Sequence, residues 1–154
     1  MIPATKSWWA ELLFRPYLNW IARKEFSGVH LQGTLPQLNP ELPLLLLPNH
    51  STWWDGFFVY LLNRRIFKRE LYLMMLESQL STYRFFRRLG AFSVKADSPR
   101  DLQRSLNYSV ELLKNNSSRS TVLCLFPQGE LTLWDARPLN YKGGVEWILS
   151  QYGE

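Results

Sequence analysis

The fold is decided by one stretch, Leu44-Leu45-Leu46-Leu47-Pro48-Asn49-His50-Ser51-Thr52-Trp53-Trp54-Asp55. Its apolar run, residues 44–47, lies between two prolines and is far too short to span a membrane. Such a run predicts a strand buried on both faces, as in a parallel sheet. Ligands of open α/β sheets bind beyond the carboxyl ends of the strands. The turn that carries His50 and Asp55 is therefore the first candidate for a functional site.

The spacing of His50 and Asp55 restricts how their side chains can meet. Residues five apart on a continuous helix are about 140° apart around its axis and do not share a face. We therefore expect His50 in the turn and Asp55 in the first turn of the next helix. There the carboxylate accepts a hydrogen bond from one imidazole nitrogen and leaves the other as a base. The alternative is that His50 only satisfies the loop and Asp55 only stabilises a helix N-terminus.

Apolar runs and helical periodicities alternate along the chain. The predicted strands span residues 29–32, 44–47, 71–76, 90–95 and 121–126, and the predicted helices residues 8–24, 54–63, 79–89, 99–114 and 145–152. Ser98 and Pro99 favour a capped start for the fourth helix, which residues 115–118 end. This alternation predicts an α/β domain with a mostly parallel sheet flanked by helices.

The composition indicates one domain with a basic, aromatic surface. The chain has 154 residues, of which 46% are hydrophobic, a formal charge of +5, and seven Trp, seven Tyr and nine Phe. Aromatic rings mixed with Lys and Arg suit a membrane interface. They also suit single-stranded nucleic acid, a more distant alternative that we do not expect here. The single Cys124 lies in an apolar run, which predicts a core residue and no disulfide framework, in keeping with a reducing compartment.

The N-terminal segment has an amphipathic pattern. Its apolar residues at helical spacing are Trp9, Leu12, Leu13, Tyr17, Trp20 and Ile21, and Pro16 is expected to kink or divide the helix. The helix either lies in the plane of a membrane, with its basic residues at the headgroups, or packs on the core, or does both on different faces. We predict a membrane-interface segment at residues 1–27 and a second domain at 28–154. We predict neither a membrane-spanning helix nor a cleaved signal.

A second basic cluster follows the helix predicted at residues 54–63. It consists of Arg64, Arg65, Lys68 and Arg69. Such a cluster is either solvated surface or a contact for lipid phosphates.

Three blocks of sequence together resemble the glycerolipid (lysophosphatidic acid) acyltransferase family. Residues 49–55 are similar to the family's N-H-x-x-x-x-D motif, residues 90–95 to its second block, and Phe126-Pro127-Gln128-Gly129-Glu130 to its third. Lys142-Gly143-Gly144 is similar to a Lys-x-Gly that follows the third block. The blocks occur in the family's order, and the resemblance covers about residues 26–150.

The resemblance implies transfer of a fatty acyl group from acyl-CoA or acyl carrier protein to a lipid hydroxyl. The acceptor would be a lysophospholipid or a related glycerolipid or glycolipid. His50 would be the general base, Asp55 would orient it, and loop donors such as the backbone around Gly129 would stabilise the oxyanion. The implied substrate-binding residues are Asn49, Gly90, Lys95, Phe126, Pro127, Gln128, Gly129, Glu130 and Lys142.

The resemblance also implies where the protein acts and what it needs. We expect a peripheral or monotopic protein on the cytoplasmic face of a membrane, with the lipid surface and the acyl donor as its partners. The chemistry requires neither a cofactor nor a metal. Two histidines and one cysteine are too few for a standard zinc site. The oligomeric state is left open.

The sequence departs from the family's pattern at four positions. Lys95 replaces the usual Arg of the second block, and in the third block Gln128 replaces Glu, Glu130 replaces Thr and Leu131 replaces Arg. Because the family associates these third-block positions with the acceptor's phosphate, which Glu130 would repel, a neutral or glycosylated acceptor becomes the alternative.

The family's fourth block, an apolar strand with proline, would lie beyond residue 154. We therefore expect a chain that lacks the C-terminal part of the fold and exposes a sheet edge. The alternative function is a non-catalytic, truncated acyltransferase-like domain that binds a membrane surface or a partner.

Overall fold

A computed structural model describes residues 1–115 and 120–153 of the chain. Its strands are β1 (Leu44–Leu46), β2 (Glu70–Leu76), β3 (Ala91–Val94) and β4 (Thr121–Cys124), and its helices are α1 (Trp8–Glu25), α2 (Asp55–Leu62), α3 (Glu77–Thr82), α4 (Pro99–Lys114) and α5 (Gly144–Gly153). The four strands form one parallel sheet in the order β1-β4-β2-β3. The predicted α/β class with a parallel sheet is confirmed.

Strand β4 lies inside the sheet, between β1 and β2, and all four of its residues are buried, as expected for a strand covered on both faces. It pairs with β1 from Leu44 opposite Val122 to Leu46 opposite Cys124, and with β2 on its other side. The pleat sends alternate β4 side chains to opposite faces of the sheet. Cys124 is fully buried, as predicted, and burial raises the pKa of its thiol.

The helices divide between the two faces of the sheet. Side chains of α4 and α5 pack with Phe92, Leu123 and Leu125 in one core cluster. On the other face, α2 packs through Val59 against Val122 and Cys124. Helix α1 lies against α2 and the 3₁₀ segment Arg84–Leu89, burying Ala10, Phe14 and Leu18 in a third cluster.

Three local predictions need correction. Pro16 does not divide α1, because the buried stripe at every fourth residue holds both halves against the core. Residues 29–32 are irregular instead of a strand. The helix predicted at 79–89 is two pieces, α3 and the 3₁₀ segment, separated by Tyr83.

Other local predictions agree with the structure or fall outside it. The predicted cap of α4 is present, since the Ser98 hydroxyl accepts a hydrogen bond from the Asp101 N–H at 3.4 Å. The predicted helix end at 115–118 lies, beyond Asn115, outside the described residues, as does Glu154 of the predicted second domain. The division at residue 27 stays a prediction. Among the helices of the described residues, none is long and apolar enough to cross a membrane.

The first seven residues cover the outer edge of β3. The Ser93 N–H donates to the Ile2 carbonyl at 2.9 Å, and the Ile2 N–H donates to the Ser93 hydroxyl at 2.6 Å. Further along, Thr5 and Ser7 donate to backbone carbonyls of the 3₁₀ segment. The N-terminal segment therefore pairs with this edge of the sheet at Ser93 before α1 begins.

Candidate active site

His50 and Asp55 meet as their spacing predicted. His50 lies in the turn after β1, Asp55 is the first residue of α2, and their Nδ1 and Oδ2 atoms are 2.9 Å apart. A carboxylate can only accept a hydrogen bond, so in the neutral imidazole Nδ1 carries the hydrogen and Nε2 has the free lone pair. The His50 side chain is 23% exposed, which leaves Nε2 accessible to a substrate in the cavity described below.

Asp55 is held as a carboxylate by the turn itself. Its Oδ2 also accepts from the Ser51 and Thr52 N–H groups at 2.7 and 2.9 Å, and its Oδ1 accepts from the Thr52 hydroxyl at 2.9 Å. Burial acts to raise the pKa of Asp55, but the hydrogen bonds from Thr52, His50 and Ser51 outweigh it and hold the pKa below its usual value. The charged form of Asp55 therefore faces His50 at neutral pH.

The third block reaches His50 because β1 and β4 are neighbours. Their carboxyl ends lie side by side, so the loops that leave them share one edge of the sheet. The Phe126 ring stacks on the imidazole, with centroids 4.0 Å apart and planes at 18°. The Gln128 side chain is only 3% exposed. Its Oε1 accepts a hydrogen bond from the backbone N–H of His50 at 2.6 Å, and its Nε2 donates to the Thr132 hydroxyl. Both ends of this carboxamide therefore help to position the turn that carries His50.

The loop after the third block closes over the same edge. The Thr132 N–H donates to the His50 carbonyl at 2.9 Å, and the Tyr141 hydroxyl donates to Asn49 Oδ1 at 2.8 Å. The Lys142 N–H donates to the carbonyl of the buried Pro127 at 2.8 Å, and the Lys142 side chain lies over Gly129.

Gly129 and Glu130 occupy the tip of the third-block turn. Gly129 has a φ of +75°, which favours glycine, and its N–H donates to the Phe126 carbonyl at 3.0 Å. Glu130 is exposed and lines the same cavity as His50.

The two predicted binding residues of the second block lie at opposite ends of β3. Lys95 follows the last residue of β3, so it lies at the same edge of the sheet as His50, two strands beyond β4. Gly90 precedes β3 and lies at the opposite end. Its φ is +108°, and an added Cβ would come within 2.2 Å of the Leu71 carbonyl oxygen, so only glycine fits there. The structure does not bring Gly90 together with His50.

Sequence reasoning missed four residues of this site, namely Ser51, Thr52, Thr132 and Tyr141. A signal did exist for Thr52, because Thr52-x-x-Asp55 is a capping-box pattern in which the acid reaches back to the N–H at the start of the helix. Thr132 and Tyr141 carry no local signal. They contact the turn only because the chain returns to it about 80–90 residues later.

An apolar cavity of about 570 Å³ opens beside His50. It runs between β2 and the aromatic side chains of α1 and α2, from His50, Gly129 and Leu131 to Phe14 and Leu89. Lining residues of β2 extend from Leu76 to Leu71, a length of about 16 Å at 3.3 Å per residue. A cavity of this length and lining has room for an extended apolar group that ends beside the imidazole.

No group of three or more His, Cys, Asp or Glu side chains forms a metal-binding arrangement within residues 1–115 and 120–153. The chemistry available at the site is that of an oriented imidazole base beside an apolar cavity.

The acyltransferase family model matches residues 28–146, which include all three sequence blocks. No curated protein and no solved structure gives a significant match to the chain.

Proposed function

The chain belongs to the acyltransferase family, and from that premise we propose that it transfers a fatty acyl group from acyl-CoA or acyl carrier protein to a lipid hydroxyl. The observation that carries this proposal is the His50–Asp55 pair, joined at 2.9 Å, at the mouth of a cavity of about 570 Å³. A base oriented by a carboxylate activates a hydroxyl, and the cavity accommodates an acyl chain.

In the proposed reaction, His50 Nε2 removes the proton from the acceptor hydroxyl as its oxygen attacks the thioester carbonyl. Asp55 holds the ring and stabilises the imidazolium that forms. Collapse of the tetrahedral intermediate forms the ester and breaks the carbon–sulfur bond, and the imidazolium returns its proton to the thiolate. Phe126, stacked on the ring, keeps Nε2 directed at the reacting atoms.

The oxyanion of that intermediate needs a donor close to the loop tip. The Gly129 N–H is occupied by the Phe126 carbonyl, whereas the next N–H, that of Glu130, forms no hydrogen bond to any residue described by the structure. We assign the oxyanion to the Glu130 N–H.

The acceptor's headgroup would meet the exposed Glu130 and Leu131 beside the cavity. A carboxylate here disfavours a phosphate and favours a neutral or glycosylated acceptor. Lys95 and Lys142 are the two cations among the predicted binding residues.

The acceptor would come from a membrane on which α1 lies. One face of α1 is buried, while Leu12, Leu13 and Trp20 on the other face are each about 60% exposed. Trp8 and Tyr17 extend this exposed apolar face. Such a helix suits a position in the plane of the interface, on the cytoplasmic side, as a peripheral or monotopic anchor.

The first experiment measures transfer of labelled acyl chains to extracted total lipid by wild type, His50→Ala and the control His30→Ala. Both acyl-CoA and acyl carrier protein serve as donors. We expect His50→Ala to lose about 10²–10⁴-fold in rate, because it lacks the general base. His30 lies in the exposed, irregular segment before β1, so His30→Ala should transfer at the wild-type rate.

Circular dichroism on all three proteins separates lost chemistry from lost folding. A folded wild-type protein that transfers no label from either donor would overturn the catalytic proposal and favour a non-catalytic lipid-surface domain. Equal rates for wild type and His50→Ala would remove His50 from the mechanism.

A further inference from the structure

A basic groove lies between α1 and the turn that joins α2 to β2. Five cationic side chains line it, namely Lys6, Arg15, Arg64, Lys68 and Arg69, together with the carboxylates of Glu11 and Glu70. Its volume is about 490 Å³. Glu70 is the first residue of β2, so the groove lies about 20 Å along that strand from the catalytic edge. Acyl transfer at His50 makes no use of it.

The two carboxylates do not neutralise the groove. Glu11 pairs with Arg15 at 3.1 Å, and Glu70 faces Lys6 at 3.8 Å. The Arg69 guanidinium donates to the Leu42 and Asn39 carbonyls, which leaves its charge uncompensated. Arg64 and Lys68 form no ion pair with any residue in the described parts of the chain. The cations therefore outnumber the acids, and two of them are available to an anion.

The turn that presents Arg64 and Lys68 is fixed by its own hydrogen bonds. The buried Asn63 side chain donates to the Arg69 carbonyl at 2.9 Å and accepts the Arg69 N–H at 3.3 Å. Lys68 has a φ of +55°, a left-handed conformation that closes the turn, and its N–H donates to the Asn63 carbonyl at 2.6 Å. The backbone that carries these basic side chains is thus closed by three hydrogen bonds between Asn63 and residues 68 and 69.

The groove lies beside the exposed apolar face of α1. Trp8, 79% exposed, is on its rim, and Glu11 and Arg15 belong to the same helix. A helix lying in the interface places its flanks at the depth of lipid headgroups, where Trp rings and basic side chains are favoured.

We propose that the basic groove binds the phosphate of an anionic phospholipid headgroup and so orients the protein on the membrane. The proposal rests on the membrane association proposed above but not on acyl transfer. Arg64 and Lys68 supply the main contacts, and Trp8 inserts beside them. The lipid bound here is a structural neighbour of the bilayer, separate from the acceptor at His50.

The test is flotation of the full chain with vesicles of phosphatidylcholine alone or mixed with phosphatidylglycerol. The groove variant is Arg64→Gln/Lys68→Gln. The matched control is Arg100→Gln/Lys114→Gln, which removes the same charge from exposed positions of α4 on the opposite face of the sheet. We expect the groove variant to lose about 30-fold in partitioning to anionic vesicles, while the control loses less than about threefold.

Three results would overturn the proposal. Equal losses in the two variants would mean that binding depends on total charge and not on the groove. Wild-type protein that floats equally well with neutral and with mixed vesicles would exclude an anionic headgroup. Binding of inorganic phosphate by wild type but not by the groove variant, together with equal flotation of the two proteins on mixed vesicles, would assign the groove to a soluble phosphate. Because flotation needs no turnover, an inactive His50→Ala protein that still floats separates this proposal from the proposed reaction.

Discussion

The two faces of the sheet are built from the same strands but packed differently. On the α4/α5 face, Phe92, Leu123 and Ile148 are fully buried and interlock in one cluster. On the α1/α2 face, the side chains of β2 leave a cavity of about 570 Å³, and aromatic side chains such as Trp53 and Tyr83 remain 46% and 45% exposed. The alternation of side chains along each strand separates a tightly packed layer from an open one.

This difference shows that the two faces are held in place by different interactions. The α4/α5 face is ordered by close packing, which resists any change in volume. The open face is ordered at the ends of its strands by hydrogen bonds, among them those of Asp55 and Gln128 around His50. His50 is therefore held by hydrogen bonds and by the stacked Phe126 ring, beside a cavity that the surrounding side chains leave unfilled.

The largest expected effect is the contrast between two leucine truncations. Leu123→Ala, in the packed cluster, should lower the free energy of unfolding by about 2–5 kcal/mol. Leu73→Ala, on the cavity wall, should cost less than about 2 kcal/mol, because the removed atoms already border empty space. Urea denaturation of both variants measures the contrast. Equal losses would show that the two faces are equally packed.

The second prediction concerns a variant in which a larger side chain fills part of the cavity on the α1/α2 face. Ala91 lies on the cavity wall opposite Leu73, so Ala91→Leu should shorten the space available to an acyl chain. We expect the preference for long over short acyl donors to fall at least about 10-fold, because each excluded methylene group is worth 1–3 kcal/mol. Competition between donors of different length measures this, and Ala91→Val should give an intermediate shift. An unchanged preference would place the acyl chain elsewhere.

Sequence reasoning predicted this architecture well wherever the signal is local. The apolar runs at β1, β2 and β4 and the Ser98-Pro99 start of α4 each carry their own periodicity or cap. The meeting of His50 and Asp55 followed from their spacing and the turn between them. The prediction that Pro16 divides the first helix was wrong, because packing overrides the local tendency of proline to break a helix.

Long-range contacts could not be predicted in this way. Nothing near Gln128 in the sequence indicates that its carboxamide joins His50 to Thr132, since that depends on β1 and β4 being neighbours. Its assignment to substrate binding stays a prediction, as do those of the other implied binding residues. Gly90 looks like part of a ligand block in sequence, yet its position is set by the Leu71 carbonyl.

A smaller effect is expected from Gln128, since it acts through His50. Gln128→Met keeps the volume but removes the acceptor for the half-buried backbone N–H of His50, which should lower kcat about 10-fold with little change in KM. Gln128→Glu should recover most of the rate, because its carboxylate accepts both the N–H and the Thr132 hydroxyl. Gln103→Met, at an exposed position of α4, is the matched control. A rise in KM without a change in kcat would instead make Gln128 a substrate-binding residue.

The smallest expected effect is a change, at acidic pH, in the difference in stability between wild type and Asp55→Asn. Since the folded-state pKa of Asp55 is lowered, its hydrogen bonds stabilise the fold fully above the unfolded value of about 4 and lose that contribution as the pH falls through the folded value. Asp55→Asn cannot ionise, so the stability gap between wild type and this variant should be constant above about pH 5 and close below about pH 4. Glu77 and Asp101 also have lowered pKa values, but both proteins share them, so their effect cancels in the difference. Urea midpoints measured for both proteins across this range test the prediction. A gap that persists unchanged to pH values well below 4 would mean that packing, and not hydrogen bonding to the charged carboxylate, holds the turn between β1 and α2.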